Sequence, residues 1–190
     1  MDPCTSTPRR EFDLANGTGS SARLQRVSAG AIFVRHGRSS PSDDLPTADW
    51  PLDPNAAPDI AALARRVPRR RAIVSSDYRR AVDTGAFFGA VTTDERLREV
   101  DRPFGPGFDD AMRKYLTGDA VFGWEPQTMV IARIADTVAQ FGDDAIYVGH
   151  GTAFTLYLTN RADGVDAYGF WSELQNPDAW LLAGKSLRRI

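Results

Sequence analysis

The chain predicts an α/β fold: a three-layer α/β/α sandwich around a mainly parallel sheet. Three observations predict it. Short apolar, β-branched runs recur at 31–35, 72–74, 145–149 and 179–182, and such runs read as buried strands of a parallel sheet. Stretches with helical apolar spacing separate several of them, the alternation that layered α/β domains require. The only two histidines, His36 and His150, each stand between one of these runs and a glycine. Ligands of open α/β sheets collect just beyond the carboxyl ends of the strands, so both imidazoles are placed where chemistry is usually done.

The elements follow in order. Residues 1–28 are rich in Ser, Thr, Gly, Pro and Arg without apolar periodicity. They predict a disordered tail, with a short helix around 11–15 as the alternative. The domain is expected over 29–190. The strand at 31–35 leads into a polar loop over 38–58, then a helix at 58–67 that ends in Arg65 and Arg66, cations suited to a helix C-terminus. A second strand at 72–74 precedes Ser75-Ser76-Asp77, N-cap residue types for a helix over 78–89. An extended piece at 91–97 enters a segment expected to be irregular, 100–127, which holds Phe104, Phe108, Tyr115, Phe122 and Trp124 and is a candidate lid. Met129, Val130, Ile134 and Val138 space a helix over 127–141. The strand 145–149, a helix at 152–160 and a last strand at 179–182 complete the reading.

Composition bounds the function. With 190 residues, 42% hydrophobic and 25% charged, the chain is long enough for a sizeable core. A net charge of −2 gives no global field for nucleic acid or an anionic membrane. The run Arg65-Arg66-Val67-Pro68-Arg69-Arg70-Arg71 lacks the interleaved aromatics of a base-stacking surface and is expected to be a solvated helix end and loop. No apolar run approaches the roughly 20 residues that span a bilayer, and no apolar signal core opens the sequence. The single cysteine, Cys4, cannot form an internal disulfide. A cytoplasmic protein is expected, with neither nucleic acid nor membrane as partner.

Four groups gather at predicted strand ends: Arg35 and His36 after the first strand, Arg80 one turn into the helix after the second, and His150 after the fourth. A guanidinium fork suits bidentate phosphate contact, so two arginines beside two histidines outline an oxyanion pocket. An imidazole there can attack phosphorus, splitting one displacement into two. Cations around it would neutralise charge on the transferring group. The scheme needs no metal or cofactor, and no HxxEH-like or CxxC spacing supports a zinc site at the two histidines.

Five segments, in order, resemble the histidine phosphatase superfamily, the phosphoglycerate-mutase-like fold. Arg35-His36-Gly37 is similar to its hallmark tripeptide, with Ser39 where many members have threonine. The run Ser75-Ser76-Asp77-Tyr78-Arg79-Arg80-Ala81-Val82-Asp83-Thr84 resembles the second motif, with Arg80 as its arginine before alanine. Leu97-Arg98-Glu99 resembles the Leu-x-Glu motif, followed by Phe104-Gly105. Glu125 with Arg133 and Ile134 is similar to the stretch opening the next helix. Val148-Gly149-His150-Gly151 resembles the second-histidine motif. The resemblance covers roughly 30–183. It implies His36 as nucleophile and Arg35, Arg80, His150 and Ser39 around the phosphate. It also implies Glu99 as the acid that protonates the leaving oxygen and then activates water, with His150 assisting catalysis. Asp101, two positions on, is the alternative acid. Three departures concern substrate contacts: Ser42 where asparagine is frequent, Leu52-Asp53-Pro54-Asn55-Ala56 for a Leu-Thr-x-x-Gly stretch, and Pro126 for the serine after Glu125.

Hydrolysis of a small phosphomonoester is the expected activity. A phosphoglycerate-mutase-like transfer is the competing enzyme reading. The segment 100–127 weighs mildly against it, because five acids (Asp101, Asp109, Asp110, Asp119, Glu125) face three bases (Arg102, Arg113, Lys114), a poor surround for a polyanion. A silent phospho-ligand binding module is the third reading.

Overall fold

A computed structural model describes residues 30–103 and 105–190. The expected tail, its alternative helix, Cys4 and Phe104 lie outside the described residues. Among the described residues, six strands form one sheet in the order β3-β2-β4-β1-β5-β6. Strands β1 (Ala31–Arg35), β2 (Ala72–Ser75), β3 (Val91–Thr93) and β4 (Ala145–Gly149) pair in parallel. Strands β5 (Asp178–Ala183) and β6 (Ser186–Arg189) add an antiparallel edge. This is the predicted α/β fold.

The pleat sorts side chains to two faces. Ile32, Val34, Ile146 and Val148 pack with Leu63 of α1 (Ala57–Arg66) and Ala81 of α2 (Arg79–Gly85). Phe33 and Tyr147 face the other way, towards α3 (Phe108–Leu116), α4 (Gln127–Phe141), α5 (Gly151–Arg161) and α6 (Ala167–Ser172). At the centre of that face the Phe33 ring lies 5.1 Å from Tyr147, 5.3 Å from Phe154 and 5.4 Å from Tyr157, centroid to centroid.

Several elements differ from the sequence reading. The segment 100–127 is not irregular throughout: α3 occupies 108–116 and buries Met112, Tyr115 and Leu116. Its apolar residues alternate with acids and bases, so the amphipathic period was masked by the surrounding Gly and Pro. The helix expected over 78–89 stops at Gly85, because the chain must turn through Gly89 to reach β3. Its N-cap is Tyr78 rather than a serine, and the Ser76 hydroxyl is turned towards His150. The short α6 and the polar edge strand β6 carry too little pattern to be read. A left-handed Gly184 (φ 59°) makes the turn between β5 and β6. Arg70 departs from the solvated run: its side chain is 6% exposed, faces Asp144 at 3.9 Å and donates to the Gly30 carbonyl.

Because Phe33 is fully buried among three aromatic rings, Phe33→Ala leaves a cavity rather than a collapsed site. The expected loss is about 3–5 kcal/mol in urea denaturation, and a loss under about 1 kcal/mol would contradict this account of the core.

Candidate active site

Parallel register builds the site. Arg35 of β1 lies opposite Gly149 of β4, and Ser75 of β2 opposite Val148. The next residues, His36, Ser76 and His150, therefore leave three adjacent strands side by side. Backbone bonds extend the ladder one step beyond the strands: His36 N donates to the Gly149 carbonyl at 3.0 Å and Ser76 N to the Val148 carbonyl at 2.9 Å. The two imidazole centroids stand 5.1 Å apart.

Hydrogen bonds fix the tautomers. His36 Nδ1 lies 2.7 Å from its neighbour's carbonyl, Gly37 O, an acceptor only, so Nδ1 carries the proton. That leaves the lone pair on Nε2, which accepts from Arg80 Nε at 3.1 Å. His150 Nδ1 faces Arg80 Nη2 at 3.3 Å and must accept, so its Nε2 donates to the Ser76 hydroxyl at 2.9 Å. One guanidinium thus bridges both rings and also donates to the Thr47 carbonyl at 2.5 Å. Thr84, one turn along α2, donates to the Arg80 carbonyl and accepts from Gly37 N.

Arg35 donates weakly to the Gln175 carbonyl at 3.4 Å, while its buried Nε has no hydrogen-bond partner among the described residues. A buried, unpaired donor of this kind is costly, and an anion in the cavity would satisfy it. Gly151 gives it room, since a Cβ there would lie 3.1 Å from Arg35 Nε. Asn176 Nδ2 donates to the His36 carbonyl at 3.1 Å.

Glu99 approaches from the far side. Its carboxylate accepts from the backbone amides of Val100 (2.9 Å), Ala153 (2.8 Å) and Thr152 (3.2 Å), the last two at the start of α5. Arg102 lies 3.7 Å away. Burial alone would raise this carboxyl, but the Arg102 charge and the three amides outweigh it and hold the group below its usual range.

Arg35, His36, Ser39, Arg80, Glu99 and Asp101 share one cavity of about 230 Å³. His150 is fully buried behind it. All the predicted site residues are therefore brought together. Ser39, bridged to Leu52 across the loop, stands at the rim. Asp101 lines the same cavity but is exposed, whereas Glu99 is fastened inside it. Arg79, Arg80's neighbour, points to solvent and pairs with Asp83 at 3.7 Å.

Sequence reasoning missed Thr47, Trp50, Tyr78 and Arg102, which complete the lining. Tyr78 and Trp50 flank the Arg80 guanidinium at 5.0 and 6.0 Å, distances at which a ring quadrupole attracts a cation. Tyr78 lay in plain view inside the second motif. Thr84 could have been found by its four-residue spacing from Arg80. Trp50 and Thr47 sit in a loop that no pattern marks. Among the described residues, no three of His, Cys, Asp or Glu cluster so as to hold a metal ion.

Residues 31–114 match the family model of the histidine phosphatase superfamily, branch 1. In signature and in fold the chain resembles that superfamily. Solved structures share the architecture. A mycobacterial glucosyl-3-phosphoglycerate phosphatase is 22% identical, with a TM-score of 0.63 over 85% of this chain and 97% of that one. A protein from Thermus thermophilus is 22% identical, with a TM-score of 0.64 over 84% and 98%. A phosphoserine phosphatase from Entamoeba histolytica, solved with phosphoserine, is 17% identical, with a TM-score of 0.56 over 84% and 93%. At these identities the likeness is one of fold. No curated protein matches the sequence. Among the described residues no helix is long and apolar enough to cross a membrane.

Both imidazoles are held neutral. Burial first, then the Arg80 charge, pushes His36 down to about 3. Burial, His36 and Arg80 push His150 well below its ordinary value. A histidine whose folded pKa lies below its unfolded one leaves the unfolded chain binding more protons, so stability is lost as pH falls below about 6.5. From pH 6.5 to 5, above the carboxylate range, His36 alone contributes a slope of up to about 1.4 kcal/mol per pH unit. Urea denaturation of the native protein should show this slope, and His36→Gln should flatten it. An unchanged pH dependence in the variant would refute the buried neutral imidazole.

Proposed function

We propose that this chain is a metal-independent phosphomonoester hydrolase of the cytoplasm that works through a phosphohistidine on a small phosphorylated substrate. The observation that carries the reading is the unprotonated Nε2 of His36, which accepts from Arg80 on a ring that lines a cavity also presenting Arg35, Arg80 and Glu99. A nucleophile that is neutral at every physiological pH needs no base to activate it. The name of the family whose model matches residues 31–114 and the phosphatases among the solved neighbours support the same chemistry. One such neighbour was solved with inorganic phosphate.

In the first step Nε2 attacks phosphorus as the ester P–O bond breaks, and Glu99 delivers its proton to the departing oxygen. The emptied carboxylate then takes a proton from water, whose oxygen attacks phosphorus while the N–P bond breaks. Phosphate leaves carrying the proton that the carboxylate took from water, and neutral His36 and ionised Glu99 are restored. In the empty site Glu99 is held ionised, so its proton must arrive with substrate. A phosphate anion close by supplies both the like charge that raises the carboxyl and, as the monoanion, the proton itself. Arg35 and Arg80 surround the position where charge develops, and His150 holds the Arg80 guanidinium from behind. Tyr78 and Trp50 form part of the cavity wall beside Arg80, and the small cavity fits a compact substrate body.

The test is hydrolysis of an aryl phosphate in excess EDTA. Native protein should turn over, His36→Ala should lose activity entirely, and Arg80→Lys should fall by about 10²–10³-fold. Turnover that survives in His36→Ala would overturn the phosphohistidine route. A stable phosphoenzyme without turnover would favour the silent binding module, and faster transfer to a second hydroxyl than to water would favour the mutase.

A further inference from the structure

The Glu125–Arg133 pair is the most heavily used buried interaction outside the cavity, and nothing in the mechanism above employs it. Arg133, 9% exposed on the inner face of α4, spends its fork on the segment that carries Glu99. Its Nη1 donates to the carbonyls of Arg96 (2.6 Å) and Arg98 (2.8 Å), and its Nη2 to that of Glu99 (3.3 Å). Nε and Nη2 also hold the two oxygens of Glu125 at 2.9 and 3.1 Å. Glu125 in turn accepts from Asp101 N at 3.2 Å and from Arg98 at 3.1 Å, and its own amide donates to the Asp101 carbonyl at 2.8 Å. One turn further along α4, Thr137 donates to Asp94, the residue that opens the same segment.

Backbone on both sides of Glu99 is therefore pinned to a single ion pair, while the Glu99 carboxylate is pinned to the start of α5. A buried pair of this kind is a poor source of stability compared with apolar packing. Its acceptors say what it fixes instead: three closely spaced carbonyls ending at Glu99 itself. Resting on the proposed role of Glu99, we infer that Arg133 and Glu125 are positioning residues for the general acid, setting where its carboxylate stands relative to His36 without touching substrate.

Proton donation matters in proportion to how poor the leaving group is. An alkyl phosphate needs the acid to leave, whereas a dinitrophenyl phosphate leaves unaided. The experiment compares kcat/KM, which reports steps up to phosphorylation of His36, for glycerol phosphate and dinitrophenyl phosphate in native protein, Arg133→Met and Glu125→Gln. Displacing a general acid should cost the alkyl ester about 10–100-fold and the aryl ester less than about 3-fold. Phosphoenzyme should also accumulate under the aryl ester, since the same carboxylate activates water. Equal losses on both esters, or no loss on either, would overturn the inference and leave the pair a purely structural clamp. If Arg133→Met melts below the assay temperature, Glu125→Gln, which keeps volume and hydrogen-bonding capacity, carries the comparison. Native protein that hydrolyses neither ester and forms no phosphoenzyme would overturn the proposed function itself, and the positioning role with it.

Discussion

The parallel pairing of β1 with β4, and of β4 with β2, is the constraint on which the site rests. Parallel strands begin and end at the same edge, so a residue just past the end of one has its counterpart just past the end of the next. With Arg35 opposite Gly149, His36 and His150 have no choice but to stand abreast. A one-residue slip would turn every alternate side chain to the other face, exchanging Phe33 for Ile32 in the aromatic layer and throwing His36 out of the cavity. The packing of Phe33 against Tyr147, Phe154 and Tyr157 is therefore also what holds the register that sets His36 beside His150.

On that edge the electrostatics are settled by one buried guanidinium. Arg80 could be compensated by a carboxylate, as most buried arginines are, but here two neutral imidazoles, a carbonyl and two aromatic faces take that place. The arrangement keeps the site net positive. An incoming phosphate then meets a cation already stripped of water, where electrostatic attraction is strongest. Burial first, and then this neighbouring positive charge, keep both histidines unprotonated. The Glu99 carboxylate takes its hydrogen bonds from elsewhere, from Val100 and the α5 amides, with Arg102 beside it.

What could be read from the sequence was what repeats or stands alone. The strands β1, β2 and β4 were legible because each is a short apolar run, and the histidines because there are only two. Arg80 was separable from Arg79 through its place before Ala81, and the structure separates them physically, one bridging two buried rings and the other paired with Asp83 in solvent. What was illegible depends on tertiary contact. Trp50 and Thr47 reach the cavity only because the loop carrying them is folded back by its own bonds, among them Trp50 Nε1 to the Ser42 carbonyl. Helix α3 was hidden by its flanking glycines and prolines, and β6 by a composition of Ser, Leu and Arg that only an existing strand edge could recruit.

The site thus joins two kinds of support. His36, His150 and Arg80 grow from the sheet edge, whose position is fixed by the core of the molecule. Glu99 belongs to no regular element: it follows a single helical turn at Glu95–Leu97 and has only its neighbours to hold it. In the proposed role, a carboxylate that meets a leaving oxygen within hydrogen-bond reach cannot be left on a free loop. Helix α4 meets that need, because it packs against both the Glu95–Leu97 turn and α5. Arg133 fastens the backbone from one side while α5 fastens the carboxylate from the other. His36 and Glu99, the proposed nucleophile and acid, therefore share one scaffold although they come from different layers of it, and α4, which lines no part of the cavity, joins the Glu95–Leu97 turn to α5.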